Sequence, residues 1–286
     1  GVHRVIGLGD SFIYGVVPIA ENFMKVTEDE LNAAGLPAET VLAGVPGWHG
    51  GNQAGWLEHT GLGLQPDLVV LNYFVGNDVT GLAVGGRVIR GTLYPTTSPQ
   101  PLRHFLRKSV LFLMVETQLW LPLRHRVSPP EERIPPPDDA PIDDLYLYIA
   151  SQYVPVFERE PDDRTAELWD ESLGHLDRID AMCREAGVPW LLVLIPDEMQ
   201  VDPVVRDQVL ARLDLDGAAY DFDAPQERLR AFADARGVPV LDLLPLLRDA
   251  HTLEGRQYVP NDTHWNTKGN AVAGRAIAEA AAPLLR

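Results

Sequence analysis

The stretch HRVIGLGDS, residues 3–11, runs from a β-rich segment directly into a Gly-Asp-Ser turn. Segment 3–9 is short and apolar and ends in glycine, a pattern that predicts a buried strand. A helical pattern over about 19–34 follows it, and Gly35 stands at the expected stop position. A strand followed by a helix is the repeating unit of α/β folds.

Four more apolar runs continue this pattern to the end of the chain. Strands are predicted over 39–45, 67–74, 189–195 and 238–243, and helices over about 163–186, 224–236 and 268–285. The strands are continuously apolar, which indicates burial on both faces, as in a parallel sheet. We therefore predict a single domain over 1–286 with an α/β fold. Its three α/β/α layers would enclose a doubly wound, mostly parallel, five-stranded sheet.

Residues 85–162 break the alternation and are interpreted as an insertion, a lid or cap over one end of the sheet. Within it, the helix-prone segment 102–123 has an apolar centre between basic flanks. That pattern fits either a helix packed on the core or contact with an anionic membrane surface or a lipid substrate. The proline-rich segment 128–141 is predicted to be a loop, because proline disrupts helix interiors and central strands.

Composition excludes several classes of function. With 24 Lys+Arg against 41 Asp+Glu, the 286-residue chain carries a net charge of −17, which disfavours a nucleic-acid partner. Cys183 is the only cysteine, so neither an intrachain disulfide nor a cysteine-based zinc site fits. No segment reaches the ~18 apolar residues of a membrane span. The chain starts at Gly1, so an extracytoplasmic or membrane-associated location, set by a preceding signal or anchor, stays an open expectation.

Ser11 and His264 are the candidate chemical pair. Ser11 follows the first strand at a turn into a helix, where a nucleophile is exposed and backbone N–H groups converge, although it could simply cap that helix. His264 lies in the segment NDTHWN, residues 261–266, before the last helix. Histidine is the usual general base for serine, and a nearby carboxylate orients its ring. The alternatives for this segment are a helix cap or half of a metal site, and no second ligand cluster accompanies it.

Two further motifs follow predicted strands. Gly47 stands in GVPGW, residues 44–48, and Asn77 in GND, residues 76–78. A glycine N–H and an asparagine amide are suitable donors to an oxyanion, although each motif could be an ordinary turn. In a doubly wound sheet the loops after these strands meet at one edge, where ligands bind.

Together these four motifs resemble the SGNH/GDSL hydrolase superfamily, whose blocks carry the Ser, Gly, Asn and His of its name. The resemblance implies a flavodoxin-like SGNH fold and a mechanism without a cofactor or metal. It implies that Ser11 is the nucleophile and His264 the base. The Ser11 N–H, the Gly47 N–H and the Asn77 side chain would form the oxyanion hole.

The last motif departs from the family pattern. The usual block is Asp-x-x-His, but Asn261 stands three residues before His264, and Asp262 stands two before it. We choose Asp262 as the carboxylate that orients the ring, with Asn261 as the alternative. The Asp-x-His-Trp spelling is also similar to SGNH-like O-acetyltransferases of polysaccharide export.

Three functions therefore remain open: an esterase for small O-acyl esters such as acetylated carbohydrates, an O-acyltransferase acting on a carbohydrate hydroxyl, and a non-catalytic carbohydrate- or lipid-binding module. The expected partner is a small-molecule or carbohydrate ester, and no particular oligomeric state is predicted. Residues near the motifs are candidates for the pocket or its supporting layer: Asp10, Tyr14, Trp48, His49, Asp78 and Trp265.

Overall fold

A computed structural model of the chain describes residues 1–81 and 137–286, together with the backbone of 86–89 and 92–95. The strands are β1 (His3–Gly9), β2 (Ala38–Gly44), β3 (Leu68–Phe74), β4 (Gly86–Ile89), β5 (Thr92–Pro95), β6 (Trp190–Ile195) and β7 (Val240–Asp242). Five of them form one sheet in the order β2-β1-β3-β6-β7, and every neighbouring pair is parallel. This is the doubly wound, flavodoxin-like order, so the predicted fold class is confirmed.

The central strands are buried along their whole length. Every residue of β3, with sequence LVVLNYF, and of β6, with sequence WLLVLI, is buried. Helices on both faces exclude water from these strands, which is why their sequences are apolar without alternation. The continuous apolar runs therefore gave the strand positions to within one or two residues.

Helices connect the strands and cover the sheet. They are α1 (Ser11–Tyr14), α2 (Phe23–Ala33), α3 (Gly50–Trp56), α4 (Asn77–Thr80), α5 (Asp144–Tyr153), α6 (Asp163–Ala186), α7 (Glu198–Val201), α8 (Pro203–Arg212), α9 (Ala224–Arg236), α10 (Leu244–Glu254) and α11 (Thr267–Ala281). The helix predicted from residue 19 begins at Phe23, because the Asn22 side chain caps it by accepting from the Met24 N–H. The helix predicted to reach residue 285 ends at Ala281 and continues as a 3-10 turn.

The chain divides into two compact units. The larger contains Gly1–Leu82 and Pro136–Arg286, and the smaller contains Ala83–Pro135. In the smaller unit β4 and β5 form an antiparallel pair. Helix α5 falls within the predicted insertion 85–162 but belongs to the larger unit.

The remaining predictions for the insertion concern segments outside the described residues. Segment 102–123 lies wholly outside them, and segment 128–141 is described only from residue 137. A lid, or a contact with a membrane surface, therefore stays a prediction. Within the described ranges, no helix combines the length and apolar character needed to cross a membrane.

Candidate active site

Ser11 is the first residue of α1, at the carboxyl end of β1. The Asp10 carboxylate caps this short helix by accepting from the Phe12 N–H at 2.9 Å, which fixes the turn that carries the serine. Ser11 itself is half-buried. Gly44, at the end of β2, lies against the same turn, and a Cβ at this position would stand 2.3 Å from the Ile13 Cβ. The ends of β1 and β2 are therefore in direct contact around the candidate nucleophile.

His264 and Asp262 lie together on the loop before α11. The His264 Nδ1 is 2.5 Å from the Asp262 Oδ1, and the same oxygen accepts from the His264 backbone N–H at 3.0 Å. Although burial raises the pKa of Asp262, these hydrogen bonds and the imidazolium charge hold it below its ordinary value. A carboxylate at Nδ1 places the proton of the neutral ring there and leaves Nε2 as the base.

Asn261 does not contact His264 in this structure. Its Oδ1 accepts from the Asp143 N–H at 2.9 Å, and its Nδ2 donates to the Pro141 carbonyl at 3.3 Å. Its φ of 59° is in the left-handed region, where asparagine is tolerated better than most residues. Of the two candidate partners for the histidine, the structure therefore brings only Asp262 to the ring.

The imidazole lies beside the turn that carries Ser11. Its ring centroid is 5.0 Å from that of Phe12, the residue after the serine. The His264 Nε2 is buried and has no hydrogen-bond partner among the described residues, so no hydrogen bond joins it to the Ser11 hydroxyl here. Such contacts are often long without substrate and tighten when the reacting complex forms.

The candidate oxyanion donors come from the loops after β2 and β3. Gly47 has a φ of 80°, a conformation that favours glycine. The Asn77 Nδ2 donates to the Trp48 carbonyl at 3.4 Å, and its Oδ1 is buried without a partner among the described residues. This contact joins the two loops, as predicted from their positions at one edge of the sheet.

Two buried carboxylates lie behind these loops. Burial raises the pKa of Asp10, whereas the Phe12 N–H, the charge on His264 and the Asn77 amide each lower it. Burial and the charge on Asp10 raise the pKa of Asp78 well above its ordinary value. The Asp78 carboxylate accepts from the Phe74 N–H at 2.8 Å and from the Gln53 amide at 2.9 Å. Asp78 thus fixes the loop that presents Asn77.

The aromatic candidates occupy different positions. The Trp265 side chain is 1% exposed and contacts the rings of Phe12 and Phe23, so it packs in the core behind the histidine loop. Trp48 is half-buried against the core, and Tyr14 is 69% exposed.

Sequence reasoning did not single out Phe12 or Gln53. Phe12 contacts His264, Phe74 and Trp265, and it thereby joins the nucleophile turn to the histidine loop. Its place directly after Ser11 was the available signal. Gln53 reaches Asp78 from a different helix, and no local pattern in the sequence indicates such a contact.

The assembled groups suit acyl transfer. They comprise a half-buried hydroxyl, an imidazole supported by a carboxylate, and an amide and a glycine N–H on adjoining loops. Among the described residues, no cluster of three or more His, Cys, Asp or Glu side chains has the arrangement of a metal site.

Comparison with known families finds a match over part of the chain. Residues 153–285 match the family described as the SGNH hydrolase-like domain of the acetyltransferase AlgX. The matched segment contains Asp262 and His264 and leaves out Ser11. No curated protein sequence matches the chain significantly.

Several solved structures share the fold over almost the whole chain. An acetyl xylan esterase, AlAXEase, is 13% identical, with 97% of this chain and 98% of that chain covered and a TM-score of 0.52. LAE5, an alpha/beta hydrolase from the metagenome of Lake Arreo, Spain, is 14% identical, with 99% and 96% covered and a TM-score of 0.53. A mutant acetyl-xylooligosaccharide esterase from Geobacillus is 11% identical, with 97% and 93% covered and a TM-score of 0.51. At these identities the likeness shows the fold alone.

Proposed function

We propose that the chain is a member of the SGNH/GDSL hydrolase superfamily and a serine enzyme that cleaves O-acyl esters through an acyl-enzyme on Ser11. Family and fold support ester hydrolysis or acetyl transfer as the general class of reaction. The contact between Asp262 and His264 carries the proposal, because it supports an imidazole base on a loop packed against the nucleophile turn.

In the proposed reaction the Ser11 Oγ attacks the carbonyl carbon of the ester while the His264 Nε2 takes its proton. Asp262 stabilises the resulting imidazolium. The oxyanion of the tetrahedral intermediate accepts hydrogen bonds from the N–H groups of Ser11 and Gly47 and from the Asn77 side chain. His264 then protonates the departing alcohol oxygen, which leaves the acyl group on Ser11.

The second half of the reaction decides between two products. Attack by water, with His264 again as the base, releases a carboxylic acid. Attack by a sugar hydroxyl forms a new ester, and the match to a domain of an acetyltransferase favours this outcome as the second candidate function. We propose short acyl groups, acetyl above all, on a carbohydrate alcohol, because similar structures include esterases of acetyl xylan and acetyl-xylooligosaccharides.

A fluorophosphonate probe tests the nucleophile directly, because it reacts only with an activated serine. We expect labelling of the folded wild type at Ser11, with none in Ser11→Ala and none in heat-unfolded wild type. Absence of labelling in the folded protein would exclude the serine mechanism and favour the non-catalytic binding module. Product analysis with an acetyl ester, in the presence and absence of a sugar acceptor, then separates hydrolysis from transfer.

A further inference from the structure

A polar cavity of about 170 Å³ lies between the loop after β2, helix α4 and helix α6. Its polar lining includes His49, Asp78, Thr80, Glu171, Ser172 and His175. His49 is two residues from Gly47, and Asp78 is next to Asn77. Since the Asn77 amide bonds to the Trp48 carbonyl, the cavity adjoins the loops that would hold the oxyanion.

Two histidines, His49 and His175, and the carboxylate of Glu171 line this cavity. The ring centroids of His49 and His175 are 5.9 Å apart. The His175 Nε2 is 3.6 Å from the Glu171 carboxylate, too far for a hydrogen bond, and has no such partner among the described residues. The His49 Nδ1 accepts from the Gly51 N–H at 3.3 Å, so the neutral ring carries its proton on Nε2.

The packing of His175 depends on a glycine. A Cβ at Gly50 would stand 2.7 Å from the His175 Cβ, so the missing side chain lets this histidine lie against the first turn of α3. Burial and the neighbouring His175 lower the pKa of His49, although Glu171 raises it, which favours the neutral ring. With its proton on Nε2, the neutral His49 ring can donate one hydrogen bond to a hydroxyl oxygen.

A second cavity of about 250 Å³ continues the first along α6. The two share Val79, Thr80 and Leu168 in their linings. The second adds uncharged polar groups from Ser151 and Gln152. The shared residues make the two cavities neighbours, and together they are called the groove here.

The charge of this groove limits which kinds of ligand it can bind. The cavities are lined by the acidic residues Asp78, Glu158, Asp162 and Glu171 and, among the described residues, by one arginine or lysine, Arg164. The whole chain carries a net charge of −17. An anionic ligand such as a uronic acid would therefore meet like charge, whereas an uncharged ligand would not.

We propose that this groove binds the sugar part of an acetylated, uncharged oligosaccharide, with His49, Glu171 and His175 hydrogen-bonding hydroxyls of the unit next to the ester. The proposal rests on the proposed function, because it assigns the alcohol side of the same ester. It adds the residues that would recognise the sugar and the discrimination against charged sugars.

The test compares two esters cleaved by the same enzyme. Relative to p-nitrophenyl acetate, kcat/KM for acetylated xylotetraose is expected to fall roughly three- to tenfold in two variants. Glu171→Gln replaces a charged acceptor with a weaker neutral one, and His175→Ala removes one hydrogen-bonding group. Glu167→Gln, one turn earlier on α6 at an exposed position that lines neither cavity, is the matched control and keeps the wild-type ratio. An unchanged ratio in both Glu171→Gln and His175→Ala overturns the proposal.

Calorimetric titration of Ser11→Ala keeps this proposal separate from the enzymatic one, since it needs no turnover. Acetylated xylotetraose is expected to bind Ser11→Ala more tightly than an acetylated tetragalacturonate does, and the added Glu171→Gln change is expected to weaken it. Equal binding of both probes, or none, overturns the groove assignment even if the fluorophosphonate labels Ser11. Selective binding without labelling supports the groove and overturns the serine mechanism instead.

Discussion

At the scale of single residues, the two neighbours Asp262 and Asn261 have separate tasks. Asp262 contacts the imidazole of His264, whereas Asn261 bonds to the backbone of Pro141 and Asp143. Spacing alone left both open as partners of the histidine. The choice depended on the direction of each side chain, which follows from the left-handed φ of Asn261.

Asp262→Asn is expected to lower kcat by roughly 10³- to 10⁴-fold, because an amide at Nδ1 no longer fixes the tautomer that keeps Nε2 as the base. Asn261→Asp is the matched control. It retains an acceptor for the Asp143 N–H, so kcat is expected to stay within about threefold of wild type. Steady-state hydrolysis of p-nitrophenyl acetate measures both. A larger loss in Asn261→Asp than in Asp262→Asn would reverse the two assignments.

At the scale of elements, the site depends on the close approach of β2 to α1. A Cβ at Gly44 would lie 2.3 Å from the Ile13 Cβ and 2.5 Å from the Asp10 carbonyl oxygen. Both atoms belong to the turn that positions Ser11. A glycine at the end of β2 is therefore required by packing, although its φ is not in the left-handed region.

Gly44→Ala is expected to cost about 1–3 kcal/mol of unfolding free energy, because the turn must move to admit a methyl group. The same displacement of Ser11 is expected to lower kcat/KM on the order of 10²-fold. Urea unfolding and ester hydrolysis measure the two effects. Gly55→Ala, in α3 with open space at its Cβ, is the control and is expected to match or exceed wild-type stability. Wild-type activity in Gly44→Ala would show that this contact does not position the nucleophile.

At the scale of the whole molecule, the sequence predicts the positions of the strands and the edge of the sheet where the motifs lie, because both depend on local sequence patterns. β3 and β6 are continuous apolar runs, and the four motifs follow strands or precede the last helix. Contacts between distant segments could not be predicted in this way. Gln53 reaches Asp78, and His175 faces His49 across 126 positions of sequence, only because the sheet brings α3, α4 and α6 together.

Several buried acidic residues lie in different parts of the fold, and they make its free energy of unfolding depend on pH. Burial raises the pKa of Asp197 to about 6, although the Met199 N–H lowers it. Burial also raises the pKa of Asp10 and of Asp78. Because the folded protein holds these protons more tightly than the unfolded chain, their contribution to stability is fully present at acidic pH. It is lost as the pH rises through the folded pKa.

Asp197→Asn isolates one such acid. Asparagine keeps the acceptor that caps α7 at the Met199 N–H, 2.8 Å away, and does not ionise. Relative to wild type, the variant is expected to gain roughly 2 to 3 kcal/mol between about pH 4 and pH 7, the window set by an unfolded pKa near 3.9 and a folded pKa of about 6. Urea unfolding across this range measures the difference. Asp170→Asn, which removes one exposed charge from α6, controls for net charge and is expected to show no comparable trend. A difference between Asp197→Asn and wild type that stays constant with pH would mean that Asp197 keeps its ordinary pKa in the fold.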